Sequence, residues 1–255
     1  MATRRDFLQT FSTGAAAMVV GGMYHDICID GYADQPDPRM KELLVKKVNT
    51  KADASWDEVQ KALETAPWDI IDIVNWSEYP YRPKVEFRLV YGDSALLLQF
   101  RVKEQAVRAV AAADNGEVWK DSCVEMFIRP AGDDLYYNFE FNCIGYCLLA
   151  VGPTREEREL AKPEVLSQIR RKTSVEKRPF TERKEETDWE LTAVIPFACF
   201  SKHPDFSPDG KTARANFYKC GDDLTVPHFL SWNPIKAVQP DFHRPECFGV
   251  VKFMR

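Results

Sequence analysis

The sequence predicts an all-β fold, an antiparallel two-sheet β-sandwich of jelly-roll-like type with short peripheral helices. Apolar or alternating segments of strand length recur from residue 85 to the end of the chain, and turn-rich segments separate them. No regular alternation of strands with helices accompanies them, which argues against a doubly wound α/β sheet. A length of 255 residues is within the range that one all-β domain reaches.

The N-terminus resembles a twin-arginine export signal. Arg4 and Arg5 follow a threonine and precede, after one further residue, Phe7 and Leu8, and a weakly apolar stretch of small residues follows. We therefore expect residues 1–23 to be the signal, residues 24–42 a linker and residues 43–255 the folded domain. The expected location is periplasmic or extracellular, with no membrane span.

The elements of the domain follow from local patterns. Helical spacing of apolar residues predicts a short helix over Trp56 to Thr65. Val85 to Tyr91 and Ala95 to Glu104 flank the turn residues 92–94 and predict a β-hairpin. Leu96, Leu98, Phe100, Val102 and Glu104 should share one strand face. The remaining predicted strands are Ser122 to Arg129, Tyr136 to Val151, Trp189 to Ile195, Arg214 to Cys220 and Phe248 to Met254.

One segment departs from this pattern. Residues 154–172 are rich in charge, with Arg155 and Arg158 on one side of Pro163 and a basic run on the other. Such a charge pattern is typical of a solvated helical insertion.

Charge and motif content exclude several functions. A net charge of −5 and a pI near 5.5 disfavour nucleic acid and anionic membranes as partners. The chain has no nucleophile elbow, zinc-protease helix or phosphate-binding glycine loop, so no enzyme is predicted. Its seven cysteines form no CxxC pair, which predicts buried thiols and no metal site.

Two segments carry a resemblance to a known family. Trp119, Asp121-Ser122, Val124-Glu125 and Phe127 stand in the order found before a strand in family 9 carbohydrate-binding modules. The closing segment, with Trp232-Asn233-Pro234 followed by Phe242 and Phe248-Gly249, is similar to the end of such modules. The resemblance covers roughly residues 43–255 and implies the sandwich fold and non-catalytic binding of a polysaccharide or oligosaccharide end.

The resemblance also implies a site. Trp119 and Phe242 match the two aromatic residues that clamp a sugar in the family, and Glu125 and Asn142 match groups that bind hydroxyls. Glu104 falls at an acidic contact, and Tyr218 stands where an amide contributes. Flat aromatic faces with planar hydrogen-bonding groups suit a sugar ring. The chain departs from the family where Phe242 replaces a second tryptophan, Glu140 a basic residue and Tyr218 the amide.

Alternatives remain open. A haem-binding electron-transfer domain of the same sandwich superfamily would need axial ligands, for which His243, Met126 and Lys219 are candidates by residue type. A glycosidase pair could come from Glu104, Asp121, Glu125 and Glu140. A scaffold or glycosidase accessory domain is another possibility. No cofactor is expected, although the acidic pairs Asp133-Asp134 and Asp222-Asp223 could hold calcium.

Overall fold

The protein is described by a computed structural model that covers residues 40–255. The predicted signal and all of the linker except its last three residues lie outside this range. Among the described residues, no helix is both long enough and apolar enough to cross a membrane.

Two sheets, called sheet A and sheet B, form a sandwich. The strands of sheet A are β1 (Glu42–Lys47), β3 (Ile73–Val74), β7 (Cys123–Arg129), β8 (Tyr136–Asn142), β9 (Cys147–Gly152), β10 (Glu159–Leu160), β14 (Thr212–Cys220), β15 (Phe229–Ser231) and β16 (Gly249–Phe253). Their order in the sheet is β10-β9-β8-β7-β14-β16-β1, with β15 paired to β14 and β3 paired to β15.

The remaining strands are β2 (Asp69–Ile70), β4 (Lys84–Tyr91), β5 (Ala95–Glu104), β6 (Val107–Ala109), β11 (Arg170–Thr173), β12 (Phe180–Arg183) and β13 (Thr187–Pro196). Sheet B has the order β1-β4-β5-β13-β11, with β2 paired to β4. Strands β6 and β12 form a separate two-stranded sheet.

Strand β1 links the two sheets. Its first four residues pair with β16 in sheet A, and Lys46 and Lys47 pair with β4 in sheet B. Both pairings are parallel, whereas the remaining pairings are antiparallel. The predicted two-sheet sandwich is confirmed, with β1 as its parallel exception.

The main core lies between the sheets because one face of each central strand is apolar. Val124, Met126 and Ile128 of β7 point into it, and Phe87 of β4 stacks on Phe217 of β14 with ring centroids 3.8 Å apart. Burying such side chains contributes about 1.5–3 kcal/mol each. Since alternate residues of a strand point to opposite faces, the intervening residues of β7 face away from this core.

Helix α1 (Trp56–Leu63) covers the outer face of sheet B. Ser55 and Glu58 form a capping box that begins it, and Val59, Ala62 and Leu63 are its buried residues. They belong to a small apolar cluster with residues of β4, β5 and β13. The predicted helix is confirmed, although it ends two residues earlier than expected.

The segment predicted as one strand from Tyr136 to Val151 is instead the hairpin of β8 and β9. Gly145 has φ of 85° and its N–H donates to the Asn142 carbonyl, which reverses the chain. Glycine adopts this left-handed conformation without a Cβ clash. The prediction was wrong because the residues around the turn are as apolar as the strands.

The expected helical insertion at residues 154–172 is also wrong in large part. It contains only the one-turn helix α2 (Pro163–Leu166), which begins with proline at its first position, between the short strands β10 and β11.

Candidate functional site

The outer face of sheet A carries an unusual set of buried polar side chains. The strand registers place Tyr218, Glu125 and Glu140 side by side across β14, β7 and β8. The row on one side of them contains Cys220, Cys123 and Asn142, and the row on the other contains Asn216, Phe127 and Asn138. All nine residues are fully buried. Because buried polar groups must be hydrogen-bonded or cost free energy, such a face is poorly explained by packing alone.

Aromatic residues lie over this face. Trp119 comes from a 3-10 turn at Val118–Lys120 before β7, and Phe242 from the segment between β15 and β16. Both belong to a second apolar cluster with Tyr218 and Trp76. Phe242 stacks on Tyr218 with a centroid distance of 4.1 Å and an interplanar angle of 6°. The Tyr218 hydroxyl donates to the Phe242 carbonyl at 3.1 Å, which fixes the stacked pair.

The two glutamates of the central row have different partners. Oε1 of Glu125 is the acceptor for the Cys220 thiol at 3.0 Å. Oε1 of Glu140 accepts from the Asn138 side chain at 2.9 Å, and its Oε2 makes no hydrogen bond in the described structure. Burial, together with the nearby Glu125 carboxylate, raises the pKa of Tyr218 well above its ordinary value.

Asn142 is held by the protein itself. Its amide donates to the Ala111 carbonyl and to Asp121 Oδ2, and its carbonyl accepts from Tyr146 N. Asp121 in turn accepts from Arg108 at 2.6 Å. Burial outweighs these hydrogen bonds and raises the pKa of Asp121. Asn142 and Asp121 therefore shape the end of β8 next to the polar face.

Glu104 ends β5 of sheet B, and it lies between the two sheets, on the side of sheet A opposite the polar face. The other residues of its predicted apolar row are part of the core between the sheets. Its carboxylate accepts from the Trp189 indole N–H at 2.7 Å and lies 2.9 Å from the Lys219 ammonium. The structure thus brings five of the six predicted site residues to one face of sheet A and places Glu104 in a separate buried charge cluster.

Two arginines from the predicted solvated insertion lie near the aromatic cluster. Arg158 donates to Nε2 of His243 at 2.7 Å, and Nδ1 of His243 lies 2.7 Å from the Tyr136 hydroxyl. An arginine only donates, so Nε2 is the acceptor and Nδ1 carries the proton. Arg155 pairs with Asp241 at 2.5 Å. No local signal separates these arginines from the neighbouring surface charges, because their partners are more than 80 residues away in the chain.

The candidate haem ligands are not brought to one site. Met126 lies in the core between the sheets, Lys219 lies in the charge cluster with Glu104, and His243 packs against Phe127 on the outer face of sheet A. An axial pair needs both ligands on opposite sides of one haem.

Asp133 and Asp223, two of the four candidate calcium residues, have protein partners. Asp133 accepts from Leu135 N and pairs with His203 at 2.9 Å, which is typical of a turn aspartate. Asp223 lies 3.7 Å from Arg108, and Asp222 is buried.

Comparison with known structures agrees with this architecture. A Bacteroides uniformis ATCC 8492 protein, named as a candidate carbohydrate-binding protein, is 48% identical over 84% of this chain and 99% of its own, with a TM-score of 0.81. Two structures of a Caldicellulosiruptor kristjanssonii family 9 module, bound to cellotriose and to glucose, are each 14% identical over 84% of this chain and share its fold. They are covered over 94% and 95% of their lengths, with TM-scores of 0.50 and 0.51.

A search of curated proteins found no match. The model of carbohydrate-binding family 9 matches residues 57–253. Since this match covers most of the chain, the protein belongs to carbohydrate-binding family 9.

Proposed function

We propose that this protein binds the end of a polysaccharide or oligosaccharide without converting it, at the outer face of β7, β8 and β14. The observation that carries the proposal is the side-by-side row of Glu125 and Glu140 on the face of sheet A against which Trp119 and Phe242 pack. A sugar ring combines an apolar face with a rim of hydroxyl groups, and this layer offers aromatic surface and carboxylate acceptors together.

The roles follow from the partners of each side chain. Trp119 and Phe242 provide stacking surface, and the carboxylates of Glu125 and Glu140 accept hydrogen bonds from sugar hydroxyls. Asn142 has its amide occupied by Asp121 and Ala111, so it acts by holding the edge of the site in place. Glu104 contributes to stability and does not contact the ligand.

Entry of a sugar requires a rearrangement of the surrounding chain. Trp119 is 4% exposed and Phe242 is fully buried. Binding should therefore change the environment of Trp119, and with it the intrinsic fluorescence. The rearrangement also makes association slower than the typical protein association rate of about 10⁵–10⁷ M⁻¹s⁻¹.

The arrangement of the acids favours binding over hydrolysis. A glycosidase needs two carboxyl groups on either side of the scissile bond. Glu125 and Glu140 occupy opposed positions on neighbouring strands, so they meet a ligand from the same side. Asp121 and Glu104 have their carboxylates engaged by neighbouring protein groups.

The test is glycan-array binding of the full-length protein, with glucose and cellotriose included, followed by titration calorimetry of each hit. We expect Trp119→Ala to weaken binding at least tenfold and to abolish the fluorescence change. Trp68→Ala is the matched control, because Trp68 packs against Arg88 and Arg101 on sheet B.

Two results would overturn the proposal. One is equal affinity of wild type and Trp119→Ala for every glycan that binds. The other is release of reducing sugar by the wild-type protein, with loss of that activity in Glu125→Gln.

We also propose that the protein is exported through the twin-arginine pathway, on the strength of Arg4, Arg5, Phe7 and Leu8. The double variant Arg4→Lys, Arg5→Lys should remain in the cytoplasm in a fractionation experiment. Export at the wild-type level would overturn this assignment.

A further inference from the structure

Two cysteines that are distant in sequence meet next to Glu125. Cys123 begins β7 and Cys220 ends β14, and the antiparallel register places them directly opposite each other. The two sulfur atoms and a Glu125 carboxylate oxygen all lie within 4.8 Å of one another. Oε1 of Glu125 is 3.0 Å from Cys220 Sγ and 3.9 Å from Cys123 Sγ. All three side chains are fully buried.

These separations are close to the edges of a metal coordination polyhedron. In a tetrahedral zinc site, Zn–S distances of about 2.3 Å and Zn–O distances of about 2.1 Å give sulfur-to-oxygen edges of about 3.5 Å. The observed separations from Glu125 Oε1 lie on either side of that value. Shifts of less than about 1 Å would place all three atoms at bonding distance from one ion.

The donor set selects the kind of metal. Thiolates are soft ligands that favour zinc and copper(I), whereas calcium takes six to eight oxygen ligands. One carboxylate with two thiolates is a donor set that zinc accepts. Glu140, the cross-strand partner of Glu125, adds a second buried carboxylate whose Oε2 makes no hydrogen bond within residues 40–255.

We propose that Cys123, Cys220 and Glu125 bind a zinc ion at the edge of the polar face, with Glu140 beside Glu125 on the neighbouring strand. The site goes beyond carbohydrate binding, although it shares Glu125 with the proposed sugar site. Zinc binding would replace two thiol protons, because the thiolates are the ligands.

The experiment measures the metal directly on the full-length protein. The protein is purified with a reductant, stripped with a chelator, and titrated with zinc and, separately, with cobalt(II). We expect one zinc per chain, a cobalt spectrum with a thiolate charge-transfer band, and a higher Tm in the presence of zinc. Cys220→Ser should weaken zinc binding at least about tenfold and reduce the charge-transfer intensity per bound cobalt, because one of the two thiolates is lost. Cys199→Ser is the matched control, because Cys199 is an equally buried thiol beside the Val165 carbonyl and should bind zinc as wild type does.

The proposal fails if the reduced wild-type protein binds no stoichiometric zinc, or if Cys220→Ser and Cys199→Ser bind it equally well. A Cys123–Cys220 disulfide that re-forms in the presence of zinc would likewise overturn it. The wild-type zinc content and Tm shift decide the question if Cys220→Ser does not fold, and Glu125→Gln supplies a second ligand variant. None of these measurements uses a sugar. A wild-type protein that binds zinc but binds no glycan would therefore overturn only the proposed function.

Discussion

The ammonium of Lys219 lies 2.9 Å from a carboxylate oxygen of Glu104. Both side chains are fully buried, and Nζ of Lys219 directs its hydrogen bonds to the Cys220 carbonyl and to His228 Nε2. The approach to Glu104 Oε2 is a charge contact rather than a well-oriented hydrogen bond. Glu104 therefore compensates the positive charge of Lys219, which β14 places between the two sheets.

We expect Glu104→Gln to lower the free energy of unfolding by about 3–5 kcal/mol, because the Lys219 charge would stay buried without a counter-charge. Urea denaturation measures the loss. Glu186→Gln is the control, since it removes the exposed ion pair with Lys103 and should cost less than about 1 kcal/mol. Equal costs for the two variants would contradict the assignment of Glu104 to a buried ion pair.

His228 should make the protein sensitive to mild acid. Its Nε2 accepts from Lys219, its Nδ1 lies 3.1 Å from the Val226 carbonyl, and it also faces Glu104 Oε2 at 3.7 Å and the Tyr81 ring. Burial, with a further contribution from the Lys219 charge, lowers the pKa of His228 well below its ordinary value.

The sign of the pH effect follows from this direction. Above about pH 6.5 the imidazole is neutral in both folded and unfolded chains. Below it, the unfolded chain takes up a proton that the folded chain excludes, so the free energy of unfolding falls by up to about 1.4 kcal/mol per pH unit. His228→Gln should reduce this slope between about pH 6.5 and 5 and leave it unchanged above pH 6.5. A slope identical to wild type below pH 6.5 would show that His228 does not carry the effect.

Asp121 should be a stability residue. Its two carboxylate oxygens accept from Arg108, from the Val110 and Ala111 backbone N–H groups, and from the Asn142 amide. Asp121→Ala removes the buried acceptor that these four donors share and should lower the free energy of unfolding by about 3–5 kcal/mol.

Thermal or urea unfolding tests this expectation. The exposed Asp134→Ala, on the loop before β8, is the control and should change stability by no more than about 0.5 kcal/mol. A cost of less than about 1 kcal/mol for Asp121→Ala would contradict the role assigned to the four hydrogen bonds.

The hydroxyl of Tyr218 should serve packing rather than sugar recognition. Tyr218→Phe keeps the ring stacked on Phe242 and leaves the Phe242 carbonyl without its donor, which should cost about 1–3 kcal/mol of stability. Glycan affinity, measured by calorimetry, should stay at the wild-type value. A tenfold weaker affinity with unchanged stability would instead assign the hydroxyl to the ligand.

Much of the fold and part of the site could be predicted from the sequence. The β4–β5 hairpin is confirmed in register around residues 92–94, and the apolar row ending in Glu104 faces the core as its alternation predicted. Glu125 shares a strand face with Cys123 and Phe127 for the same reason. Strand periodicity depends only on neighbouring residues, so a local pattern is enough to assign a face.

Pairing partners were decided by the tertiary structure alone. Register and packing between strands bring together residues that are distant in the sequence. They place Cys123 opposite Cys220, Glu125 beside Glu140, and Glu104 next to Lys219. The sequence by itself determined that the chain alternates into strands and which side chains share a face. Only the fold decided which of those faces meet, because a one-residue shift in register would exchange buried and exposed sides without changing any local pattern.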